Sequence, residues 1–322
     1  MAKGKEIQQR IKSIGSTKKI TRAMEMVSAS KMRKAVEAVL RTRTYANLSW
    51  ATILNLSESA KNGEIHPLLK KRDEVKRIAI ILISSNRGMC GSLNTALIAK
   101  AQKSIEKYQT KDGKTTIETD FILIGKKGEA VYRYFGYNIA AQFPKEDLVD
   151  EIKEAIPVSK LIISDFLNGK YDKVMVAYTD FVSASKQIPR VKQILPVDIE
   201  TQDEFLGIIG QDSRVGSSKE FIKGKEEKYL KTEKYSFEYT FEPNPREVLD
   251  EMIPRLLEIQ IYQAMLESNA SEHSARMAAM HQATEAATDM VNELTLFYNK
   301  ARQAAITNEI AEISAGANAL AE

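Results

Sequence analysis

The chain has one cysteine, Cys90, in 322 residues, so no intrachain disulfide can form. That fits a reducing compartment. It also excludes any switch that needs a cysteine pair. Histidines number three, His66, His273 and His281, and no second cysteine supplements them, so a zinc site of ordinary ligand count is not expected. No run of 18 apolar residues occurs, which excludes a membrane-spanning helix by hydropathy. G-x-S-x-G, G-x-G-x-x-G and G-x-x-x-x-G-K-[ST] are all missing. Proline is absent before Pro67, and acids are scarce early: residues 1–60 hold four against twelve Lys and Arg. The start, Met1 to Lys5, lacks an apolar h-region and is not expected to be a secretory signal. A transit peptide would suit the basic first residues, but a helical pattern already begins by Ile7.

What is present is dominated by the last 80 or so residues. An alternating three-four step from Leu256 stops at Ile259, Gln263, Leu266, Ala270, His273, Met277, Met280, Thr284, Ala287, Val291, Leu294, Tyr298, Ala301 and Ala305. Twelve of these fifteen positions are apolar or Ala, which makes a heptad seam and predicts a coiled coil. Sixty to seventy such residues make a rod of about 90–105 Å. The seam is Ala-rich toward its end, where each residue buries little area. Residues 1–60 read as a second long helix. Its stripe starts at Ile7, Ile11 and Ile14, is expected to continue through Ile20, Met24 and Val27, and reaches Val36, Val39, Leu40, Ile53 and Leu56. The first segment carries a balance of +8 and residues 245–322 one of −7, so the two suit an antiparallel pairing. At about 0–1 kcal/mol per surface pair, charge would set orientation more than stability.

Between the helices the period changes. Ile78–Ile83 is a continuous apolar run and predicts a buried strand. The loop Ser85–Asn94 and a helix to about Tyr108 follow, the strand-loop-helix turn of a doubly wound fold. That glycine loop could turn backbone N–H groups toward a phosphate, but no motif supports it. Cys90 reads as a small packing residue. Further strands are expected at 121–124, 137–143, 173–181 and, as an edge containing Pro189 and Pro196, 187–197. Helices are expected from after Asn94 to about 108, and at 128–135, 147–156 and 158–167, with Pro157 separating the last two. Residues 201–234 read as a long loop or insertion, and 235–242 as a possible strand. Asn244-Pro245-Arg246-Glu247 starts a helix that Pro254 should kink. The expected fold is α/β, a long antiparallel coiled coil of N- and C-terminal helices with a Rossmann-like, mostly parallel α/β domain between them. The expected divisions are 1–60, 74–200, 201–243 and 244–322.

Read from the residues alone, the basic face of the first helix, Lys18, Lys19, Arg22, Lys31, Arg33, Lys34, Arg41 and Arg43, fits nucleic-acid phosphate, acidic protein surfaces or a solvated face. Aromatic interleaving is thin, with only Tyr45 and Trp50, which counts against nucleic acid. A small α/β enzyme using Gly88–Gly91 is the third reading.

Three stretches resemble the gamma-subunit family of the rotary ATP synthases: Ile11–Arg33, Ser84–Asn94, and Glu267–Met280 continuing to Tyr298–Ile310. The resemblance spans the chain. It implies a central rotor shaft that holds no nucleotide, metal or cofactor, makes no bonds and is not an enzyme by itself. The implied partners are the alpha and beta subunits of the catalytic head, epsilon and the c-subunit ring, with neither nucleic acid nor direct membrane insertion. The implied location is peripheral, at the cytoplasmic face of a bacterial plasma membrane. Residues matching family contacts to beta are Met24, Lys31, Arg33, Lys34, Arg302, Gln303 and Thr307, and those matching the foot against the c ring are Tyr239, Phe241 and Glu242. Asn86 stands where the family usually has Asp, and Cys90 alone excludes the chloroplast redox pair.

Overall fold

The computed structural model describes residues 2–59, 66–70, 72, 74–109, 117–149, 151–197 and 245–319, with backbone only at 2–3, 43–59, 107–109, 245 and 316–319. Its helices are α1 (Ala2–Ser59), α2 (Leu93–Gln109), α3 (Ala130–Phe135), α4 (Ile156–Leu167) and α5 (Pro245–Ala319). The strands are β1 (Arg77–Ile83), β2 (Glu118–Ile124), β3 (Asn138–Phe143), β4 (Lys173–Ser183) and β5 (Lys186–Leu195). The chain divides into two compact units, residues 1–29 with 276–322, and residues 30–275. Both long helices contribute to both units.

Unit 30–275 is built on one sheet of order β3-β2-β1-β4-β5. β1 pairs parallel with β2 and β4, β2 pairs parallel with β3, and β5 runs antiparallel on the edge. Six consecutive apolar residues, Ile78 to Ile83, are buried in β1 because both faces of the sheet are covered. Period-two alternation sorts them. Ile78, Ile80 and Leu82 pack with Leu97, Ala101 and Ile105 of α2. Ala79, Ile81 and Ile83 share the opposite core with Val158 and Ile162 of α4 and Ile253, Leu257 and Ile261 of α5.

Several local expectations change. Residues 147–149 and 151 are not helical; a 3₁₀ turn at Ile152–Glu154 precedes α4. The 144–149 loop is instead drawn out by Lys145 and Asp147, whose side chains reach helices distant in sequence. Pro157 lies in the first turn of α4 rather than between two helices, a position where its missing N–H costs nothing. α5 is helical without interruption through Pro254, with Ile253, Leu256 and Leu257 buried on either side of it. Asn244 and residues 201–243 lie outside the described residues.

Unit 1–29 with 276–322 is a pair of antiparallel helices. Thr284 Oγ1 lies 2.8 Å from Thr21 Oγ1, and His281 Nδ1 lies 3.1 Å from Glu25 Oε1, so rising numbers on one helix meet falling numbers on the other. On α5 the less exposed positions from Met277 onward include Met280, Thr284, Ala287, Val291, Leu294, Tyr298 and Ala301, the expected seam. On α1 the seam departs from expectation. It continues from Ile14 through Lys18, Thr21, Glu25 and Ser28 in a strict three-four step. Ile20 and Val27 instead face outward, 61% and 55% exposed, and Leu40, in the other unit, is also exposed. The helix keeps its heptad geometry and accepts polar residues in the seam rather than shifting phase to bury two aliphatics.

Candidate functional site

In a doubly wound sheet a ligand sits beyond the carboxyl ends of the strands, where the strand order reverses. Here that place lies beside β1, between β2 and β4. The chain's own α5 fills it. Ser268 Oγ donates to Ile83 O at 3.2 Å, and Ser271 Oγ donates to Thr179 O at 3.0 Å. Lys145 Nζ lies in the same region, donating to Glu272 Oε2 at 2.8 Å and to Ser84 O at 3.2 Å. Its side chain is 1% exposed and that of Glu272 is 8% exposed.

The glycine loop after β1 is occupied with itself. Ser85 N–H donates to Asn94 Oδ1 at 3.0 Å, and Asn94 Nδ2 returns a bond to Ser85 Oγ at 2.7 Å. Met89 and Gly91 both take the left-handed conformation at φ 61°, so the loop is a tight, self-bonded turn. Asn86 Nδ2 donates to Lys145 O at 2.5 Å, a structural tie between two loops. Cys90 is buried among Ser85, Asn94 and the Arg87 carbonyl, as a packing residue. Among the described residues no group of three or more His, Cys, Asp or Glu is placed to hold a metal ion. The crevice that could have been an enzyme site is a joint.

The described residues singled out for partner contact lie on the helices. In unit 30–275, Lys31 Nζ donates to Asp147 Oδ2 at 2.9 Å. That hydrogen bond holds the Asp147 carboxyl below its ordinary value; the charges of Lys31, Arg87 and His273 add to the effect, and partial burial opposes it. Arg33 and Lys34 are exposed. In unit 1–29 with 276–322, Met24 is half-buried, while Arg302, Gln303 and Thr307 are exposed. Thr307 Oγ1 donates to Gln303 O within the helix, 2.9 Å away. From the Glu25–His281 contact to Arg302 is 21 residues of α5, about 30 Å along the helix. Within that unit Met24 and the Arg302–Thr307 set thus form separate surfaces, not one site. Tyr239, Phe241 and Glu242 lie outside the described residues.

Sequence reading missed a run of exposed apolar side chains at the end of α5. Every residue from Arg302 to Ala315 is exposed, including Ile306, Ile310 and Ile313 at 49%, 62% and 68%. Spaced by four and three, these isoleucines form one stripe. Leu296, Phe297, Met290 and Met26 are likewise exposed. Carrying the heptad strictly from Ile7, Ile11 and Ile14 would have found Ile20 and Val27 on the outside.

Residues 3–320 match the model of a family described as ATP synthase. The chain is 39% identical over 320 residues to the ATP synthase gamma chain of Legionella pneumophila (strain Corby), covering 99% of this chain and all of the relative. Identity to the ATP synthase gamma chain of Haemophilus influenzae (strain PittEE) is also 39%, with the same coverage. Among solved structures, a chain from the Euglena gracilis mitochondrial ATP synthase, in an assembly described as OSCP/F1/c-ring, superposes with a TM-score of 0.61. It covers 99% of this chain and 95% of its own at 16% identity. A chain from the central stalk and c-ring of the Tetrahymena thermophila mitochondrial ATP synthase gives 0.55, covering 82% of this chain and 99% of its own at 21% identity. At these identities the structures speak to the fold.

Proposed function

Because the chain belongs to the ATP synthase gamma family, we infer that it is the central rotor shaft of that enzyme, a non-catalytic subunit. It couples ion-driven rotation of a c-subunit ring to the conformational cycle of catalytic beta subunits, and in reverse lets ATP hydrolysis pump ions. The observation that carries this reading is the bare end of α5. A single helix with an isoleucine stripe and no covering element among the described residues is built to be covered by other subunits.

The chemistry required of such a shaft is differential contact. It biases a partner only by binding one of its states better than another. Shifting a two-state equilibrium from 1:99 to 99:1 takes about 5.5 kcal/mol. Fully burying one isoleucine contributes about 1.5–3 kcal/mol. Covering the stripe Ile306, Ile310 and Ile313 in one orientation and not in the next is therefore of the right size.

The contacts we assign to beta are Met24, Lys31, Arg33 and Lys34 low on the helices, and Arg302, Gln303 and Thr307 at the end of α5. The foot against the c ring is assigned to Tyr239, Phe241 and Glu242, with epsilon alongside and alpha around the tip. We divide the chain by role into helix 1–60, body 74–200, foot segment 201–243 and helix 244–322. Among the described residues no helix is long and apolar enough to cross a membrane. We assign the chain a peripheral place at the cytoplasmic face of a bacterial plasma membrane, a reading the bacterial relatives support. The basic face is already engaged in part, with Lys18 in the seam and Lys31 on Asp147, which weakens a nucleic-acid reading.

Truncation after Ala301 tests the role of the tip. In reconstituted enzyme, loss of head assembly or of ATP-driven ion uptake is expected. Undiminished uptake would remove the tip from the coupling path.

A further inference from the structure

Four successive residues of α5 are tied to three parts of the α/β body, β4, the 144–149 loop and the β4–β5 turn. Ser271 Oγ donates to Thr179 O of β4 at 3.0 Å. Glu272 Oε2 accepts from Lys145 Nζ at 2.8 Å. His273 Nε2 donates to Asp147 O at 2.8 Å. Ser274 Oγ donates to Ala184 O, in the β4–β5 turn, at 2.6 Å. Successive helix residues point about 100° apart, so the four bonds leave the helix around its whole circumference. A helix packed along one stripe is held by apolar contact, which has no preferred direction. Hydrogen bonds weaken steeply as they are bent, so a girdle of them resists turning of the helix about its axis.

The girdle is the last turn of α5 within its unit, which ends at Ala275. Asp147, whose carbonyl binds His273, also takes Lys31 through its carboxylate, one residue inside the point where α1 enters the same unit at Ser30. One loop, 144–149, thus holds both long helices at the boundary of the unit. Buried ion pairs seldom add stability over apolar residues of similar volume, and their best-attested use is to fix one geometry. The buried Lys145–Glu272 pair fits that use.

We propose that this turn is a rotational clamp: Lys145, through Glu272, is the positioning residue that locks the long helices to the α/β body so that torque passes between body and shaft without slip. The proposal rests on the shaft reading. Its test uses ATP synthase assembled with this chain and reconstituted in vesicles, reading ATP hydrolysis and ion uptake per ATP hydrolysed. The paired replacement Lys145→Met with Glu272→Leu removes both charges and leaves none buried alone. We expect hydrolysis within twofold of the unaltered enzyme and uptake per ATP at least threefold lower. Uptake per ATP that stays unchanged overturns the clamp. So does an equal fall in Ile105→Val, a core change on the far face of the sheet, since the loss would then follow from general loosening. If the paired variant does not assemble, Ser271→Ala with Ser274→Ala removes two of the four ties with little change in volume; a fall of about twofold supports the clamp and no fall overturns it. Absence of uptake with the unaltered chain would instead overturn the shaft reading, and the clamp with it.

Discussion

Two stretches of one helix reverse the usual distribution of side chains. From Ile259 to Ser274 every residue of α5 is buried, and among them are Gln260, Gln263, Glu267, Ser268, Asn269, Ser271, Glu272, His273 and Ser274. From Arg302 to Ala315 every residue is exposed, and among them are three isoleucines. Burying polar groups costs free energy unless they are bonded, and exposing aliphatics forgoes their burial. The first stretch is polar because it is joined by directed bonds to its own body; the second carries its isoleucines uncovered by any described part of the chain, as the shaft reading requires. Among the described residues Gln263 Oε1 and both amide atoms of Asn269 are buried without a hydrogen-bond partner, so the first stretch gives up some stability for its arrangement.

The largest effect expected from this contrast is at Glu272. Glu272→Ala leaves the Lys145 ammonium buried without its carboxylate, which costs about 3–5 kcal/mol. Thermal or urea unfolding of the purified chain reads it. The matching change in the bare stretch, Ile306→Ser with Ile310→Ser and Ile313→Ser, should move the same measurement by less than about 0.5 kcal/mol per site while lowering ATP-driven ion uptake in the assembled enzyme. Equal stability losses from the two variants would break the contrast.

These regions were unequally legible in the sequence. β1 announced itself because Ile78–Ile83 is apolar on both faces, and the seam from Met280 to Ala301 followed from counting alone. The α1 seam was misread because Ile20 and Val27 are apolar decoys, while the true seam holds Lys18, Thr21, Glu25 and Ser28. The expected helix at 147–156 starts late because the 144–149 loop is held by Lys145 on Glu272, across 127 residues of sequence, a pairing no local pattern encodes. The buried run 259–274 was taken for a one-sided seam because its polar residues look like a solvated face until their partners are known. Resemblance to the family, not periodicity, singled out Arg302, Gln303 and Thr307.

A middle-sized effect is expected at the opposite end of the sheet, where Asp172 shows what ordinary polar burial looks like. Burial alone would raise its carboxyl, but the N–H groups of Lys76 and Arg77, both at 2.9 Å, and the Arg72 guanidinium more than offset that, so it lies below its ordinary value. A carboxylate lowered in the folded state contributes stability that is present above its unfolded value of about 3.9 and lost as the pH falls through the folded value. Asp172→Asn should cost about 1–3 kcal/mol at neutral pH and flatten that acid limb. Tyr171 is the mirror case. Burial, then its hydrogen bond to Asp120, pushes its hydroxyl up to about 12. Its stabilisation is complete below the unfolded value of about 10 and is lost as the pH rises toward 12. Tyr171→Phe should remove that alkaline dependence, read as melting temperature against pH.

The smallest effect is expected in the seam between the two extremes. Thr284 is buried with its hydroxyl 2.8 Å from Thr21 Oγ1 and also 2.8 Å from Met280 O. One proton cannot serve both acceptors at once, so the cross-helix bond is made only part of the time. Thr21 keeps its own donor satisfied at Lys18 O, 3.1 Å away. Thr284→Val therefore orphans no buried donor. It loses part of a bond of net worth about 0.5–1.5 kcal/mol and gains about one buried methyl, roughly 0.8 kcal/mol. The two nearly cancel, so the change should stay within about 0.5 kcal/mol. A loss above about 2 kcal/mol would mean that the Thr21–Thr284 contact sets the register of the two helices, as a lone polar residue does in other coiled coils. The polar seam would then belong with the girdle at Glu272, as a second place where α5 exchanges burial for position.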